Sequence, residues 1–433
     1  MQYRIREQKE LKPSGVEWLG DIPKDWKIKK LKYLITLNPN KTNLKKEIEN
    51  NIDVSFLPMD KVRRGVLDLS INKSINTVLN GYTFFKNNDI LIAKVTPCFE
   101  NYNCAIAESL SNNIGFGSTE LNVIRCLSNI DTKFIYYFIQ TDIFIQLGVS
   151  KMTGSGGLKR VPTDFFENFK LFFPSESERV KIAKFLDEKL KTFDDAISKK
   201  EELITKLQDV KQSLISEVVT GKLKVIQKED NWKIKKLGYI FKFKNGVNAD
   251  SSSYGKGLKF INVKETINTN FILEKDIEGS VSVSESIIKE NLLKKGDVLF
   301  NRTSETAEEI ALSTVYYDDA KALFGGFVIR GRQLTNDLDL DFKRYCFQSY
   351  EIRKQIISFA SGSIRKNIAQ TNLKDVYLTF PNIDTQKQIS KYLDEKCELF
   401  NNTIEKTKQS IIKLKQAKEA LISEAVTGKI EVL

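Results

Sequence analysis

Apolar residues fall at heptad spacing in two stretches of the chain. From Glu178 to Val219 they stand at Leu186, Leu190, Phe193, Ile197, Ile204, Leu207, Leu214 and Val218, stepping by four and three, with Lys200 and Lys211 at the skipped positions. Leu393, Cys397, Phe400, Ile404, Ile411, Leu414, Leu421 and Ala425 repeat that register. A stripe of this kind, uninterrupted by Gly or Pro, predicts a long amphipathic helix with a coiled-coil seam. Pro174 and Pro381 stand shortly before the two helices, and Gly221 and Gly428 follow them, where start and stop signals belong. A helix of about 42 residues rising 1.5 Å per residue spans about 60 Å. A stripe can also mark a core-facing helix, but two such lengths with matched seams most simply pair with each other. Copies related by a pseudo-two-fold axis then run antiparallel, as a spacer between two binding modules.

The helices belong to a larger repeat. Asp25-Trp26-Lys27-Ile28-Lys29-Lys30-Leu31 returns as Asn231-Trp232-Lys233-Ile234-Lys235-Lys236-Leu237, an offset of 206. Pro174 to Val225 set against Pro381 to Val432 gives 23 identities in 52 positions without a gap, too many for chance. Between roughly 38 and 165, and between 244 and 372, only anchors agree: Asn88-Asp89-Ile90-Leu91 with Gly296-Asp297-Val298-Leu299, Val123-Ile124-Arg125 with Val328-Ile329-Arg330, and Thr153-Gly154-Ser155 with Ser361-Gly362-Ser363. This is a repeated frame carrying two diverged inserts. Strand-like runs at Asp89 to Val95 and Leu121 to Arg125 accompany helical patterns at Phe134, Tyr137, Phe138 and Ile145, and at Phe342, Tyr345, Cys346 and Phe347 to Ile357. Each insert therefore reads as an α+β domain. The segments expected are a globular domain over 1–174, a helix over 175–222, a second domain over 223–381 and a second helix over 382–433.

Charge adds a direction. The 68 Lys and Arg exceed the 56 Asp and Glu, a formal charge of +12 that favours a polyanion, although Lys-rich faces such as Lys199-Lys200 and Lys406 to Lys413 read as solvated. The chain has no histidine, and its cysteines, Cys98, Cys104, Cys126, Cys346 and Cys397, form no CxxC pair, which leaves no zinc constellation and no His-based triad or general base. No GxxxxGK[ST] occurs, and Asn38-Pro39-Asn40 lacks the second Pro and the aromatic of an amino-methyltransferase motif. The expectation is a chain without catalysis of its own. MQYRIREQKE offers no signal-peptide core and no apolar run approaches a membrane span, so the expected location is cytoplasmic, with no membrane partner.

Candidate DNA-binding residues sit on matched loops. Lys151, Ser155, Lys159 and Arg160 belong to Lys151-Met152-Thr153-Gly154-Ser155-Gly156-Gly157-Leu158-Lys159-Arg160, and Ser363, Arg365 and Lys366 to the loop Ser361 to Asn367. Gly allows backbone amides close to a phosphate, and Ser, Lys and Arg add donors. Lys94 and Thr96, with Asn301, Arg302 and Ser304, form a second matched loop carrying groove-reading residue types. Such loops also occur as plain surface turns; their presence in both copies raises the functional reading. Phe84, Phe85, Phe99 and Tyr102 read as core rather than as base-stacking groups.

Ser14-Gly15-Val16-Glu17-Trp18-Leu19-Gly20-Asp21-Ile22-Pro23-Lys24-Asp25-Trp26, Ala93-Lys94-Val95-Thr96-Pro97-Cys98-Phe99-Glu100-Asn101, Gly117-Ser118-Thr119-Glu120-Leu121 and the twice-used Leu-Ile-Ser-Glu-x-Val-Thr-Gly-Lys helix end resemble the specificity subunit of type I restriction-modification systems. One departure lies after each proline, where Ser177-Glu178-Arg179 and Thr385-Gln386-Lys387 replace the family's frequent Glu-Gln pair. The resemblance implies two target-recognition domains, each reading one half of an asymmetric bipartite site in double-stranded DNA. It also implies two adenine-N6 methyltransferase subunits and two translocase-nuclease restriction subunits as partners. S-adenosylmethionine, ATP and Mg would then be bound by those partners, and no cofactor by this chain. The alternatives are a stand-alone DNA-binding regulator, a scaffold that never meets DNA, and an enzyme with an unrecognised site.

Overall fold

A computed structural model describes residues 2–16, 18, 20–42, 44–128, 130–155, 157–225 and 231–433. Glu17 and Leu19 of the opening run, and Gly156 of the first Gly-rich loop, lie outside the described residues. The fold is mixed α and β in two compact units, Met1–Lys199 with Ser410–Leu433, and Lys200–Gln409. The cuts fall inside the two long helices, Glu176–Val219 and Ile383–Val426, rather than at the ends of the sequence segments. Each globular part thus packs with the start of one helix and the end of the other.

The helix ends explain why their sequences repeat. Ser175 Oγ accepts from Glu178 N at 3.3 Å, and Asn382 Oδ1 accepts from Thr385 N at 3.0 Å, so equivalent residues supply the N-caps. The residues that depart from the family's pair hold the entry prolines: Arg179 Nη1 donates to Pro174 O, and Gln386 Nε2 to Pro381 O, each at 2.8 Å. At the other end Gly221 and Gly428 have φ of +73° and +76°, where a Cβ is strained. Space forbids one as well. A Cβ on Gly221 would lie 2.7 Å from the Trp232 indole, and one on Gly428 would lie 2.5 Å from Pro23 and 3.1 Å from Trp26. The repeated Asp/Asn-Trp segment is therefore the lid of each helix end.

In the first unit the helix segments run antiparallel: Arg6 links Glu178 to the level of Lys429 and Glu431, while Asp194 bonds Lys418 at 2.6 Å. In the second, Lys211 bonds Asn401 at 2.7 Å, while Val218 and Val219 share a core with Ile389 and Leu393. Of the seam positions, Leu186, Leu190, Ile197, Leu393, Ile404, Ile411 and Leu421 are buried, and Phe193, Ile204, Leu207, Leu214, Phe400 and Leu414 are half-buried. Near the helix ends the apolar face widens to take in Ile182, Phe185, Ile422 and Val426, which join the core of the first globular part. The helices are thus both paired and core-facing. Asp187 accepts from Tyr137 Oη at 2.5 Å and Lys133 at 2.6 Å; Asp394, its repeat, accepts from Tyr345 Oη at 2.5 Å and Arg344 at 2.7 Å. Burial and these carboxylates push both phenols well above their ordinary pKa.

The two globular parts share one strand frame. The first has an antiparallel sheet in the order Cys104–Ile106, Ile90–Ala93, Leu121–Cys126, Ile35–Leu37. Its other four-stranded sheet runs Thr83–Lys86, Ile114–Gly117, Asp53–Leu57, Asn72–Ser74, with one parallel pair. The second part has Phe241–Asn245, Val328–Gln333, Val298–Asn301, Ser313–Tyr316 and Phe271–Ile272 in one sheet, and Ser280–Val281, Tyr254–Ile261 and Ala322–Phe324 in another. Asp89 receives Arg125 through two bonds of 2.7 and 2.6 Å, and Asp297 receives Arg332 through two of 2.9 and 2.6 Å. This corrects the match of Arg125 to Arg330. Ile90 faces Ile124 and Val298 faces Gly331, so Arg125 corresponds to Arg332, two residues further on. A shift of two leaves every side chain on its own face, so alternation could not reveal it.

The helical patterns also divide. Thr132–Ile139 and Asp142–Ser150 are separate helices, the second capped by Thr141, and Lys343–Cys346 and Tyr350–Ser358 are their counterparts, with Ser349 as the cap. Phe84, Phe85 and Phe99 are core, whereas Tyr102 is half-buried and donates to Asp142 at 2.6 Å.

Candidate nucleic-acid interface

In the first unit three segments distant in sequence meet at the end of the strand Ile90–Ala93. Lys94 N donates to Glu120 O at 2.9 Å, Val161 N to Lys94 O at 2.8 Å, and Thr96 N to Lys159 O at 3.0 Å. Thr96 Oγ1 donates to the same Lys159 carbonyl at 3.2 Å. Thr153 and Arg160 exchange backbone bonds of 3.0 and 2.8 Å, closing the Gly-rich loop. The second unit repeats this: Arg302 N donates to Phe327 O at 2.7 Å, Ile368 N to Arg302 O at 3.1 Å, and Ser361 and Asn367 close the loop with bonds of 3.1 and 2.7 Å. Thr303 and Ser304 pair with Asn367 and Lys366. Lys94 thus corresponds to Arg302, Glu120 to Phe327, and Arg160 to Asn367.

Both loops need glycine at one place. Gly154 and Gly362 have φ of +133° and +111°, and an added Cβ would lie 2.5 Å from Leu158 O and 2.1 Å from Arg365 O. The turn that the backbone makes is therefore fixed, while the residues it displays differ. Lys151, Ser155 and Lys159 are exposed in the first loop, as are Ser363 and Arg365 in the second; Lys94, Thr96, Arg302, Ser304 and Lys366 are half-buried beside them. Leu158 and Ile364 are also exposed at the loop tips, the latter 90%.

The expected donors are not equally available. Arg160 is exposed, but its fork is held by Glu120 through bonds of 2.8 and 2.7 Å. That hydrogen-bonded pair lowers the Glu120 carboxyl below its usual range and raises the guanidinium. Lys366 Nζ donates to Gly362 O at 2.8 Å, bracing its own loop. Asn301 is corrected: it is 1% exposed, and its amide donates to Thr303 O at 3.2 Å and Glu309 O at 2.9 Å, so it holds the loop from inside. Lys159 and Arg365 have no side-chain ion pair or hydrogen bond among the described residues and present free cations.

Glu120 belongs to the Gly117 to Leu121 block, but it stands 40 residues from the arginine it binds, and nothing local in the sequence signals that pairing. Arg353 was also missed. It lies in the helix Tyr350–Ser358 and reaches the loop that carries Ser304, a role that its place in an apolar helical pattern conceals. Among the described residues no cluster of His, Cys, Asp or Glu could hold a metal ion, and no helix is long and apolar enough to cross a membrane. All five cysteines are free, and burial raises the Cys104 and Cys346 thiols well above their ordinary range.

A family model for the type I restriction modification DNA specificity domain matches residues 23–208 and 229–416. The EcoEI specificity subunit of Escherichia coli is 37% identical over 187 residues, which are 42% of this chain and 30% of that protein. The EcoAI specificity subunit, also from Escherichia coli, is 39% identical over 186 residues, 42% of this chain and 31% of that protein. These matches span less than a third of those relatives. The EcoKI specificity subunit of Escherichia coli strain K12 is 21% identical over 427 residues, 95% of this chain and 90% of its own. A solved chain of a type I R-M system superposes with a TM-score of 0.73 at 17% identity, covering 94% of this chain and 99% of that one. The HsdS subunit from Thermoanaerobacter tengcongensis gives 0.53 at 16% identity, covering 94% and 98%. Those two structures share the fold, and the family model covers both halves of the repeat: this chain belongs to the family of type I restriction-modification DNA specificity subunits.

Proposed function

We propose that this chain is the non-catalytic subunit that reads a two-part, asymmetric sequence in double-stranded DNA, one half-site per unit. The observation that carries this reading is the pair of loop constellations, built on matched backbone bonds at Lys94 and Arg302 yet displaying different side chains. Equal frames with unlike tips suit unlike half-sites, whereas identical tips would suit a palindrome. Lys159 and Arg365 supply phosphate contacts, and Thr96, Arg302 and Ser304 lie where base edges would be read. The long helices set the spacer and dock two adenine-N6 methyltransferase subunits, and two translocase-nuclease subunits complete the complex. Exposed Leu203 and Val210, seven residues apart on the first helix and off its seam, offer apolar surface that a partner helix would cover. S-adenosylmethionine, ATP and Mg belong to those partners.

The test is co-expression of the chain with its methyltransferase subunits and genome-wide mapping of methylated adenines, with one two-part motif of fixed spacer expected. Changing Lys159 and Arg365 together to Ala should weaken binding to any sequence and reduce the salt slope by about 2. Unaltered affinity and slope would overturn their assignment. One helical turn added to both long helices, about 5.4 Å, should change the spacer by about one or two base pairs and keep both half-sites. An unchanged spacer would remove the ruler role.

A further inference from the structure

The loop leaving the strand Val298–Asn301 is held in a way that its counterpart is not. Arg353 Nη1 donates to Ala311 O at 2.9 Å, and Nη2 donates to Glu308 O at 2.8 Å and Ile310 O at 2.6 Å. Three carbonyls of one turn, those of Glu308, Ile310 and Ala311, are thus gathered on one rigid, planar guanidinium fork, which an ammonium on a flexible stem reproduces less well and a neutral amide, with two donors, cannot. Ala311 stands at φ +48°, a conformation that non-glycine residues adopt only when their surroundings impose it. Its N donates to Asn301 O at 3.0 Å, and the Asn301 amide holds Thr303 O and Glu309 O from within. The chain from Arg302 to Ala311 is therefore clamped between a buried amide and a cation.

Arg353 has no carboxylate partner among the described residues, and burial lowers its pKa to about 10. A charge kept without an ion pair is unfavourable unless its hydrogen bonds are needed where they are. The helix caps fix the comparison with the first unit: four residues after Thr141 stands Ile145, four after Ser349 stands Arg353, and Ile145 is 2% exposed. The cation is thus absent from the shared frame and belongs to one copy only.

We infer that Arg353 is a positioning residue for the second half-site, setting the pose of Arg302 to Glu309 and hence its base preference without touching DNA. This rests on the proposed DNA reading. Arg353→Met and Arg353→Lys variants of the full chain, co-expressed with the methyltransferase subunits, test it through the motif recovered from methylated DNA. Arg353→Met is expected to reduce base discrimination at one half-site at least tenfold while the other half-site and the spacer stay as in the parent, with Arg353→Lys intermediate. An unchanged motif in both variants, or equal loss at both half-sites, would overturn the positioning role and leave the general reading intact. A parent chain that yields no two-part motif would overturn both. Binding of each variant to a DNA lacking the motif should match the parent; a parallel fall there marks loss of fold and overturns the inference.

Discussion

The segments that begin at Lys94 and at Arg302 leave equivalent strands and make the same first backbone bonds, yet they are anchored by opposite means. In the first unit Phe99 is fully buried against Phe144 and Phe166, with Gly148 leaving room for its ring. In the second unit Arg353 and Asn301 grip backbone carbonyls. A ring packs without regard to the direction of the main chain, so it fixes where a loop lies more than how each peptide is turned. A guanidinium fixes the peptides themselves. The same frame can therefore carry a loop held by volume in one copy and by direction in the other.

Several substitutions should break or sharpen this contrast. Phe99→Ala should destabilise the first unit by about 3–5 kcal/mol, because the cavity it leaves is enclosed by other rings, and denaturant unfolding measures it. A loss below 1 kcal/mol would mean that the first loop is not held by volume. Gly221→Ala and Gly428→Ala act on the shared frame and should cost similar amounts, about 2–4 kcal/mol each, from positive φ plus collision with the lid residues. Unequal costs would show that the two joints are less alike than their geometry. A pH effect should also be common to both units. The Tyr137 and Tyr345 phenols have raised pKa values when folded, so their contribution is complete below the unfolded value of about 10 and is lost as pH rises beyond it. Unfolding midpoints between pH 8 and 11 should fall only at the alkaline end, and less so in a variant with both tyrosines changed to Phe. Thr96→Ala, which removes one hydroxyl bond to Lys159 O, should cost about 1 kcal/mol, visible as a small shift of the same midpoint.

Much of the frame was legible because it is written in local signals. Heptad spacing marked the helices, and prolines and glycines marked their ends. Short apolar runs marked Ile90–Ala93 and Leu121–Cys126. What escaped depends on contacts between distant residues. The match of Arg125 to Arg332 needs the strand register, since a shift of two preserves the pattern. The withdrawal of Asn301 into the interior, and the capture of Arg160 by Glu120, depend on which carbonyl or carboxylate the fold brings near. The widening of the helix face around Ile182 and Phe185 arises because each helix end meets a globular part as well as its partner helix. A seam pattern describes only the second of those neighbours.

The indoles that close the helix ends have an optical consequence. The chain has 3 tryptophans, and Trp26 sits in the first unit while Trp232 sits in the second. Trp26 is 1% exposed and donates to Glu178 at 2.9 Å, so its emission reports on the end of one long helix and the start of the other at once. With Trp18 and Trp26 changed to Phe, the remaining fluorophore is Trp232, resting on Gly221. A companion chain with Trp18 and Trp232 changed to Phe keeps Trp26 alone, so comparing the emission of the two chains during unfolding tells which unit opens first.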